Sequence, residues 1–359
     1  MDVLGIVLGL VAGLALFLYG VTRLARGMRA VAGSRMRRLL ERATKNRYAG
    51  VLTGTVATTA LDSSSVTIIM VIALVDAGLL SFVQSLGVIL GANIGTTVSS
   101  QIIALDVARY APLALACGLL LGAVGRTATW RHAGTALFGM GLVFFGLAQM
   151  GAAVEPLRES GRFVDLMARL ESPLLGVAVG ALTTLVFQSS SATLGIAITL
   201  ASQGLLTLPA GVAVMLGAEI GTCADTLIAT FGRSREALRA GVFHLLFNVA
   251  TAAVGVALIE PLTALGSTLG GDTARQLANA HVAFNTLGVI SVIFLLGPIA
   301  RGLERLVPPR PSTTAAARDG TALDRPRRPA RGLPSTATGE PARYAAGAAD
   351  AADGPPTGA

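Results

Sequence analysis

Apolar and polar positions along this chain alternate between long hydrophobic runs and short polar or basic stretches. Runs long enough to cross a bilayer occur at residues 4–22, 82–105, 111–125, 133–150, 209–231, 238–258 and 281–300. The pattern predicts an all-α polytopic membrane protein with about seven spans. Two further apolar stretches are interrupted by polar residues: Thr58, Thr59, Asp62, Ser63, Ser64, Ser65 and Thr67 in one, Thr183, Thr184, Gln188, Ser189, Ser190, Ser191 and Thr193 in the other. Hydroxyls placed in hydrocarbon must pair internally or line a wet cavity. Each stretch is therefore expected to be a re-entrant helical hairpin that enters the membrane and returns to the same side.

The two stretches are copies. Residues 50–97 and 176–223 align without a gap at an offset of 126, with about 20 of the 48 paired positions identical. The offset also brings Gly13, Leu16 and Gly20 onto Gly139, Leu142 and Gly146, so the repeat starts early in the chain. The expected organisation is repeat 1 over 1–129, repeat 2 over 130–258, an additional membrane segment over 259–307 and a tail over 308–359. After each serine triplet comes a second glycine-bearing segment: Gly91, Asn93, Gly95, Thr96 and Thr97, then Gly217, Glu219, Gly221, Thr222 and Cys223. A polar residue between two glycines predicts a broken helix with exposed carbonyls at both places.

Composition agrees, with 53% hydrophobic residues against 13% charged, far below the charged share of a soluble domain. The net charge of +8 reads as a topology signal rather than a nucleic-acid footprint, because its sources are clustered. Between Arg23 and Arg47 stand nine basic side chains against Glu41 alone, whereas the equivalent stretch at 149–173 has three basic and four acidic ones. Equivalent loops of opposite charge belong on opposite faces, which makes the repeats inverted, with the N-terminus out and the C-terminus cytoplasmic. The first span lacks a basic leader and a small-residue cleavage site and is expected to be retained. Cys117 and Cys223 lie in membrane segments, which excludes a disulfide framework or cysteine metal site. The tail, rich in Pro, Ala, Gly, Thr and Arg, reads as disordered and cytoplasmic.

A duplicated membrane unit with polar breaks is the build of a secondary transporter: helix N-termini and hydroxyls hold an oxyanion, while carbonyl and carboxylate oxygens hold a cation. No nucleotide motif is present, so the energy source is an ion gradient. An intramembrane serine hydrolase is disfavoured, since neither triplet lies in a Gly-x-Ser-x-Gly elbow and both are duplicated. Gln-Ser-Ser-Ser at Gln188, Ser189, Ser190 and Ser191, and Gly-Ala-Asn-Ile-Gly-Thr-Thr at 91–97, both in duplicate, resemble the type II sodium-dependent phosphate cotransporter family, including its bacterial members. The resemblance covers about residues 4–300 and extends to His-x-x-Phe-Asn at His244, Phe247 and Asn248 and again at His281, Phe284 and Asn285.

The resemblance implies a non-enzymatic importer of inorganic phosphate, coupled to sodium and working by alternating access in a bacterial inner membrane, without a cofactor or a resident metal. It implies a substrate site of Gln188, Ser189, Ser190, Ser191, Ser63, Ser64, Ser65, Thr67, Thr193, Asn93, Thr96 and Thr222. Two residues depart from the family pattern: Asp62 stands where Gln is usual and Glu219 where Asn is common. A bare carboxylate repels a divalent anion in a low dielectric, so both are assigned, with Asn93 and Thr97, to the coupling cation, Na+ or in its place H+. His244, Asn248, His281 and Asn285 are expected to support these ligands from behind. The expected partners are phosphate, sodium and the lipid bilayer, with a cytoplasmic regulatory partner for the tail. Transport of another small anion, or a phosphate-sensing scaffold, are the alternatives.

Overall fold

In the computed structural model, which describes residues 3–308 apart from 45, 106 and 107, the described residues form helices and turns with no strand. All but the first residue of the expected tail lies outside the described residues. Repeat 1 comprises α1 (Val3–Ala43), α2 (Arg47–Leu61), α3 (Ser64–Asp76), α4 (Phe82–Ile103) and α5 (Ala111–Val124). It is followed by α6 (Ala128–Val154), α7 (Gly161–Ala168), α8 (Pro173–Phe187), α9 (Ser190–Ser202), α10 (Leu208–Gly221), α11 (Cys223–Ile228) and α12 (Arg235–Ala257). Next come α13 (Ile259–Thr268), α14 (Thr273–Ile293) and α15 (Leu296–Leu306). Both ends of α8 and of α9 fall 126 residues after those of α2 and α3, so the copied sequence folds as a copied structure.

Among the described residues, six helical segments are long and apolar enough to cross a membrane: α1, α4, α6, α10 with α11, α12 and α14. Helix α5, at 14 residues, falls short. The apolar run at 281–300 is not one span. Helix α14 starts earlier, at Thr273, and the chain breaks at Phe294 and Leu295 before the amphipathic α15, whose polar face carries Arg301, Glu304 and Arg305.

Glycines fix the direction of the hairpins. Gly54 faces Val88, Gly91 faces Val51 and Gly95 faces Thr58, so α2 and α4 run parallel in close contact. In the second copy Gly180 faces Val214, Gly217 faces Val177 and Gly221 faces Ala181, so α8 and α10 do the same. A helix joined by tight turns to two parallel neighbours must run against both. Helices α3 and α9 are therefore the return arms of re-entrant hairpins.

The inversion of the repeats is visible in one helix pair. Gly13 of α1 packs on Gly146 of α6, and Gly20 packs on Gly139. Since the repeat equates Gly13 with Gly139 and Gly20 with Gly146, the equivalent helices cross antiparallel about a pseudo-twofold axis perpendicular to their length. Phe17, fully buried, sits close to that axis.

Of the three apolar cores among the described residues, one packs around Phe17 between α1, α6 and α9, and the other two lie on either side of a polar layer. One gathers α3, the first half of α4, the first half of α12 and the end of α14 with α15. The other gathers α9, α10, the later part of α12, α13 and the first half of α14. Helices α12 and α14 thus each pass from one core to the other in opposite directions. Between the cores lie Asn93, Ser100, Glu219, Thr226, His244, Asn248, His281 and Asn285, all buried.

The second break forms in one repeat only. Helix α10 stops at Gly221 and α11 restarts at Cys223, but α4 is continuous through the equivalent residues. In α4 the Asn93 amide donates to Ile89 O and the Thr96 and Thr97 hydroxyls to Asn93 O and Ile94 O, so these side chains reinforce the helix they were expected to open. Glu219 has no side-chain N–H to offer its own helix, and its carboxylate meets His281 of α14 instead.

A Cβ at position 91 would lie 1.9 Å from Val51 O and one at 217 would lie 2.0 Å from Val177 O, whereas one at 122 meets nothing within 4 Å. Gly91→Ala and Gly217→Ala must push backbones apart, at a cost of ~1–3 kcal/mol or more each. Gly122→Ala should be neutral or stabilising. Thermal unfolding of the detergent-purified variants measures the difference.

Candidate transport site

Each hairpin turns on two residues. Asp62 closes α2 in the left-handed region (φ 51°, ψ 37°), and Gln188 closes α8 in the same way (φ 52°, ψ 33°). They are the two non-glycine residues with positive φ among those described. Short polar side chains tolerate this conformation best, and such residues at functional sites persist only when their surroundings enforce it. The next residue, Ser63 or Ser189, is extended and caps the returning helix, its Oγ accepting the N–H of Val66 or Ala192 at 3.2 Å. The arms are then tied together by hydroxyls: Thr58 Oγ1 donates to Thr67 Oγ1 at 3.0 Å, and Thr184 Oγ1 to Thr193 Oγ1 at 2.7 Å.

This construction turns the N-termini of α3 and α9 toward the breaks, with Ser64, Ser65, Ser190 and Ser191 in their first turns. The earliest N–H groups of a helix have no acceptor within it and carry the positive end of its dipole. The C-termini of α2 and α8 bring free carbonyls and the negative end to the same turns. Each break therefore offers donors for an anion beside acceptors for a cation.

Side chains cross between the repeats. The Ser99 hydroxyl of α4 donates to Asp62 Oδ1, and Asp62, Ser99 and Ser191 of the other repeat line one cavity of about 120 Å³. Ser65 in turn lies near the Asp225 carboxylate of α11, whose Oδ1 accepts the Thr226 N–H at 2.7 Å. The Asp62 cavity shares Ile103 and Phe144 with a wider one of about 570 Å³, which is bordered by Ser202, Gln203, Glu155 and Asp272. Gln188 is exposed at its turn.

Behind the hairpins runs a chain of buried bonds. Ser100 Oγ lies 2.7 Å from His281 Nδ1, and His281 Nε2 lies 2.8 Å from Glu219 Oε1, which joins α4, α14 and α10. All three side chains are at most 2% exposed. Thr226 Oγ1 is 2.8 Å from His244 Nδ1. Ser100 and Thr226 are equivalent in the repeat, so His281 of α14 and His244 of α12 are structural counterparts although they are not 126 residues apart. The Asn248 and Asn285 amides donate to the carbonyls of their own histidines at 3.0 and 3.3 Å, leaving both Oδ1 atoms buried without a partner.

The expected residues thus separate. Ser63 and Ser189 cap, Thr67 and Thr193 tie the hairpin arms, and Thr96 and Thr97 bond into α4, while Thr222 is buried at the break between α10 and α11. Asp62 and Ser191 share a cavity, whereas Glu219 is taken up by His281. Sequence reading overlooked Ser99 and Ser100. Their signal was the repeat itself, because carrying the alignment past Thr97 places Ser99 opposite Asp225 and Ser100 opposite Thr226.

Inverted repeats, paired re-entrant hairpins and a polar layer at their tips define a multi-pass membrane protein built as a secondary transporter. The chain belongs to the Na+/Pi-cotransporter family, whose sequence model matches residues 16–152 and again 158–296, each match containing one of the two hairpins. It is similar to YqeW of Bacillus subtilis, whose name assigns no activity, with 29% identity over 84% of this chain and 99% of that protein. It also resembles YjbB of Escherichia coli K12, whose name proposes inorganic phosphate export, with 24% identity over 89% of this chain but only 60% of that protein. Human sodium-dependent phosphate transport protein 2B is 33% identical over 25% of this chain and 14% of its own length. No solved structure matches the chain.

His281→Leu should be strongly destabilising, by roughly 3–5 kcal/mol, because it strands Glu219 in the apolar interior. Glu219→Gln, which keeps a polar partner for the imidazole, should cost far less, and the Glu219→Leu/His281→Leu pair should recover much of the loss. A double-mutant cycle on unfolding temperature in detergent measures the coupling.

Proposed function

We propose that this protein moves inorganic phosphate across a bacterial inner membrane in symport with sodium, by alternating access. The carrying observation is that serines and carboxylates of the two repeats meet across the hairpin breaks: Ser191 with Asp62 and Ser99, Ser65 with Asp225. Two sites assembled jointly by inverted halves can be opened to either face by rocking one half against the other. The phosphate is held by the N-termini of α3 and α9 with the hydroxyls of Ser64 and Ser190. Asp62 holds a cation against the carbonyl end of α2. Glu219 acts as a strut between repeats through His281.

An asymmetry between the two faces supports the alternating part of the reading. At the end of α3, Asp76 accepts the Ser234 N–H at 2.7 Å and pairs with Arg233 at 3.4 Å, which latches the first hairpin to the start of α12. A cavity of about 660 Å³ borders Asp76 and Ser234 at that end but shares no lining residue with the Asp62 cavity, whereas at the equivalent end of α9 Ser202 and Gln203 border the 570 Å³ cavity opposite Asp272, at the start of α14, which does. The charge pattern assigns the latched end to the cytoplasm together with the C-terminus, and the 570 Å³ cavity to the outside. The structure is then read as outward-facing, with Ile103 and Phe144 between vestibule and site.

Membership of the family supports phosphate as the solute. The direction of net flux follows the gradients imposed on a symporter, so import is the reading for an inward sodium gradient. Proteoliposomes loaded with phosphate should take up labelled phosphate only with sodium outside, and counterflow should occur; binding without flux would instead mark a sensor. Ser64→Ala and Ser190→Ala should each weaken phosphate binding roughly 10- to 100-fold, the worth of a hydrogen bond to a charged group, with unfolding temperature nearly unchanged.

A further inference from the structure

The far ends of the two hairpins share one backbone. Gly78 and Gly204, 126 residues apart, follow α3 and α9 with φ of 70° and 68°. The Leu79 and Leu205 N–H groups close these turns on Leu74 O and Leu200 O, both at 2.9 Å. Helix α3 packs on α12, and α9 packs on α14. Asp76 and Ser202 hold the same position at the ends of α3 and α9. The helices they face begin with Ser234 and Asp272 as N-caps, ten residues before His244 and nine before His281. Each end of the molecule therefore carries one aspartate and one serine, exchanged between hairpin and cap.

One pair is joined and the other is not. Asp76 accepts the Ser234 N–H at 2.7 Å and pairs with the Arg233 guanidinium at 3.4 Å. Ser202 and Asp272 both line the 570 Å³ cavity, and each bonds within its own helix. The Ser202 hydroxyl donates to Thr199 O at 2.8 Å, and Asp272 Oδ1 accepts the Arg275 N–H at 2.9 Å.

We propose that Ser202 and Asp272 form the outer counterpart of the Asp76 latch, a step that rests on the alternating-access reading. When Asp76 releases Ser234, α9 closes on the start of α14, and the Ser202 hydroxyl leaves Thr199 O for the Asp272 carboxylate.

The reason is symmetry. Inverted halves with one backbone reach the second state by exchanging conformations, so a contact that shuts one end requires an equivalent at the other. The receiving walls are already built. Across the cavity from α9 lie the end of α4 and the start of α14, which the Arg275 guanidinium ties together by donating to Gln101 O and Oε1 at 3.2 and 3.0 Å. Arg233 makes the matching tie at the latched end, where its Nε donates to Ala229 O at 2.7 Å and fixes the start of α12 to the end of α11. Each hairpin arm thus closes against a wall assembled from two helices. The two latches differ in strength. The inner one has a guanidinium, whereas α9 carries no basic residue and Ser202 must give up a bond to engage. The inner latch is therefore the stronger, which makes the outward-facing arrangement the resting one.

The full chain carries Cys117→Ala, which removes the exposed thiol and leaves Cys223 buried, and A152C in the cavity wall as a reporter. Labelling of A152C by a membrane-impermeant maleimide in intact cells reads how often the outer end is open. D76N should slow labelling by releasing the inner latch. Adding S202A to D76N should restore labelling by roughly 10- to 100-fold, the worth of a hydrogen bond to a charged group, and adding D272N, which keeps the helix cap, should act the same way. Adding S202T, which keeps the hydroxyl, should restore little. In the chain without the reporter, a disulfide between S202C and D272C should form much faster with D76N than with Asp76 in place, and should stop phosphate uptake until it is reduced. Labelling unaffected by D76N, equal restoration by S202A and S202T, or equal cross-linking with and without D76N in folded protein overturns the proposal. If the wild type moves no phosphate while labelling and cross-linking exchange as expected, the transport reading fails and the paired latches stand. If phosphate moves and S202C with D272C never cross-links, the outer latch fails and the transport reading stands.

Discussion

Everything in this molecule depends on what happens to backbone polar groups where a helix stops inside an apolar environment. Each hairpin ends one helix and starts another at a single left-handed residue, which leaves carbonyls and N–H groups without helical partners. Ser63 and Ser189 satisfy part of that demand as caps, and the Thr58–Thr67 and Thr184–Thr193 bonds hold the arms so that the turns cannot relax. In the function proposed above, a site for both an anion and a cation is a consequence of breaking two helices, not an addition to them.

Close approach of backbones makes those breaks rigid. Gly54 and Gly91 in the first repeat, with Gly180 and Gly217 in the second, let each hairpin lie directly on the helix that follows it. The antiparallel contact of α1 with α6 relates the halves about an axis, and the Ser100–His281–Glu219 chain ties them through the polar layer. The halves are alike in backbone and unlike in charge: Asp62 faces Ser99, whereas Gln188 is equivalent to Asp62 and Asp225 to Ser99. Symmetry supplies two like hairpin ends, and side chains make them differ: Asp76 holds Ser234 and Arg233 at one, where Ser202 stands at the other.

A good part of this was legible in the residues. The hairpin turns at Asp62 and Gln188 announced themselves as polar interruptions of apolar runs, because hydrocarbon does not tolerate them otherwise. Inversion was legible in the opposite charge of the segments at 23–47 and 149–173, although the first folds as the end of α1 rather than as a loop. The break expected within α4 did not form, because Asn93, Thr96 and Thr97 could bond to the carbonyls of the helix that carries them. An amide or hydroxyl inside a helix serves either outcome, and only its neighbours select one. The pairing of α12 with α14 was equally hidden, since their His-x-x-Phe-Asn motifs do not keep the spacing of the repeat.

By itself, then, the sequence determined the class of the protein, the duplication, the positions of the hairpin turns and the membership of the family, because periodicity, composition and repeat are local properties that each segment carries with it. Only the tertiary structure decided which polar groups meet: that Ser191 lines the same cavity as Asp62, that Ser65 lies near Asp225, and that Glu219 is held by His281 rather than facing the hairpins. These are contacts between segments far apart along the chain, and their energies depend on distance, burial and direction. Such quantities exist only once the two halves have packed.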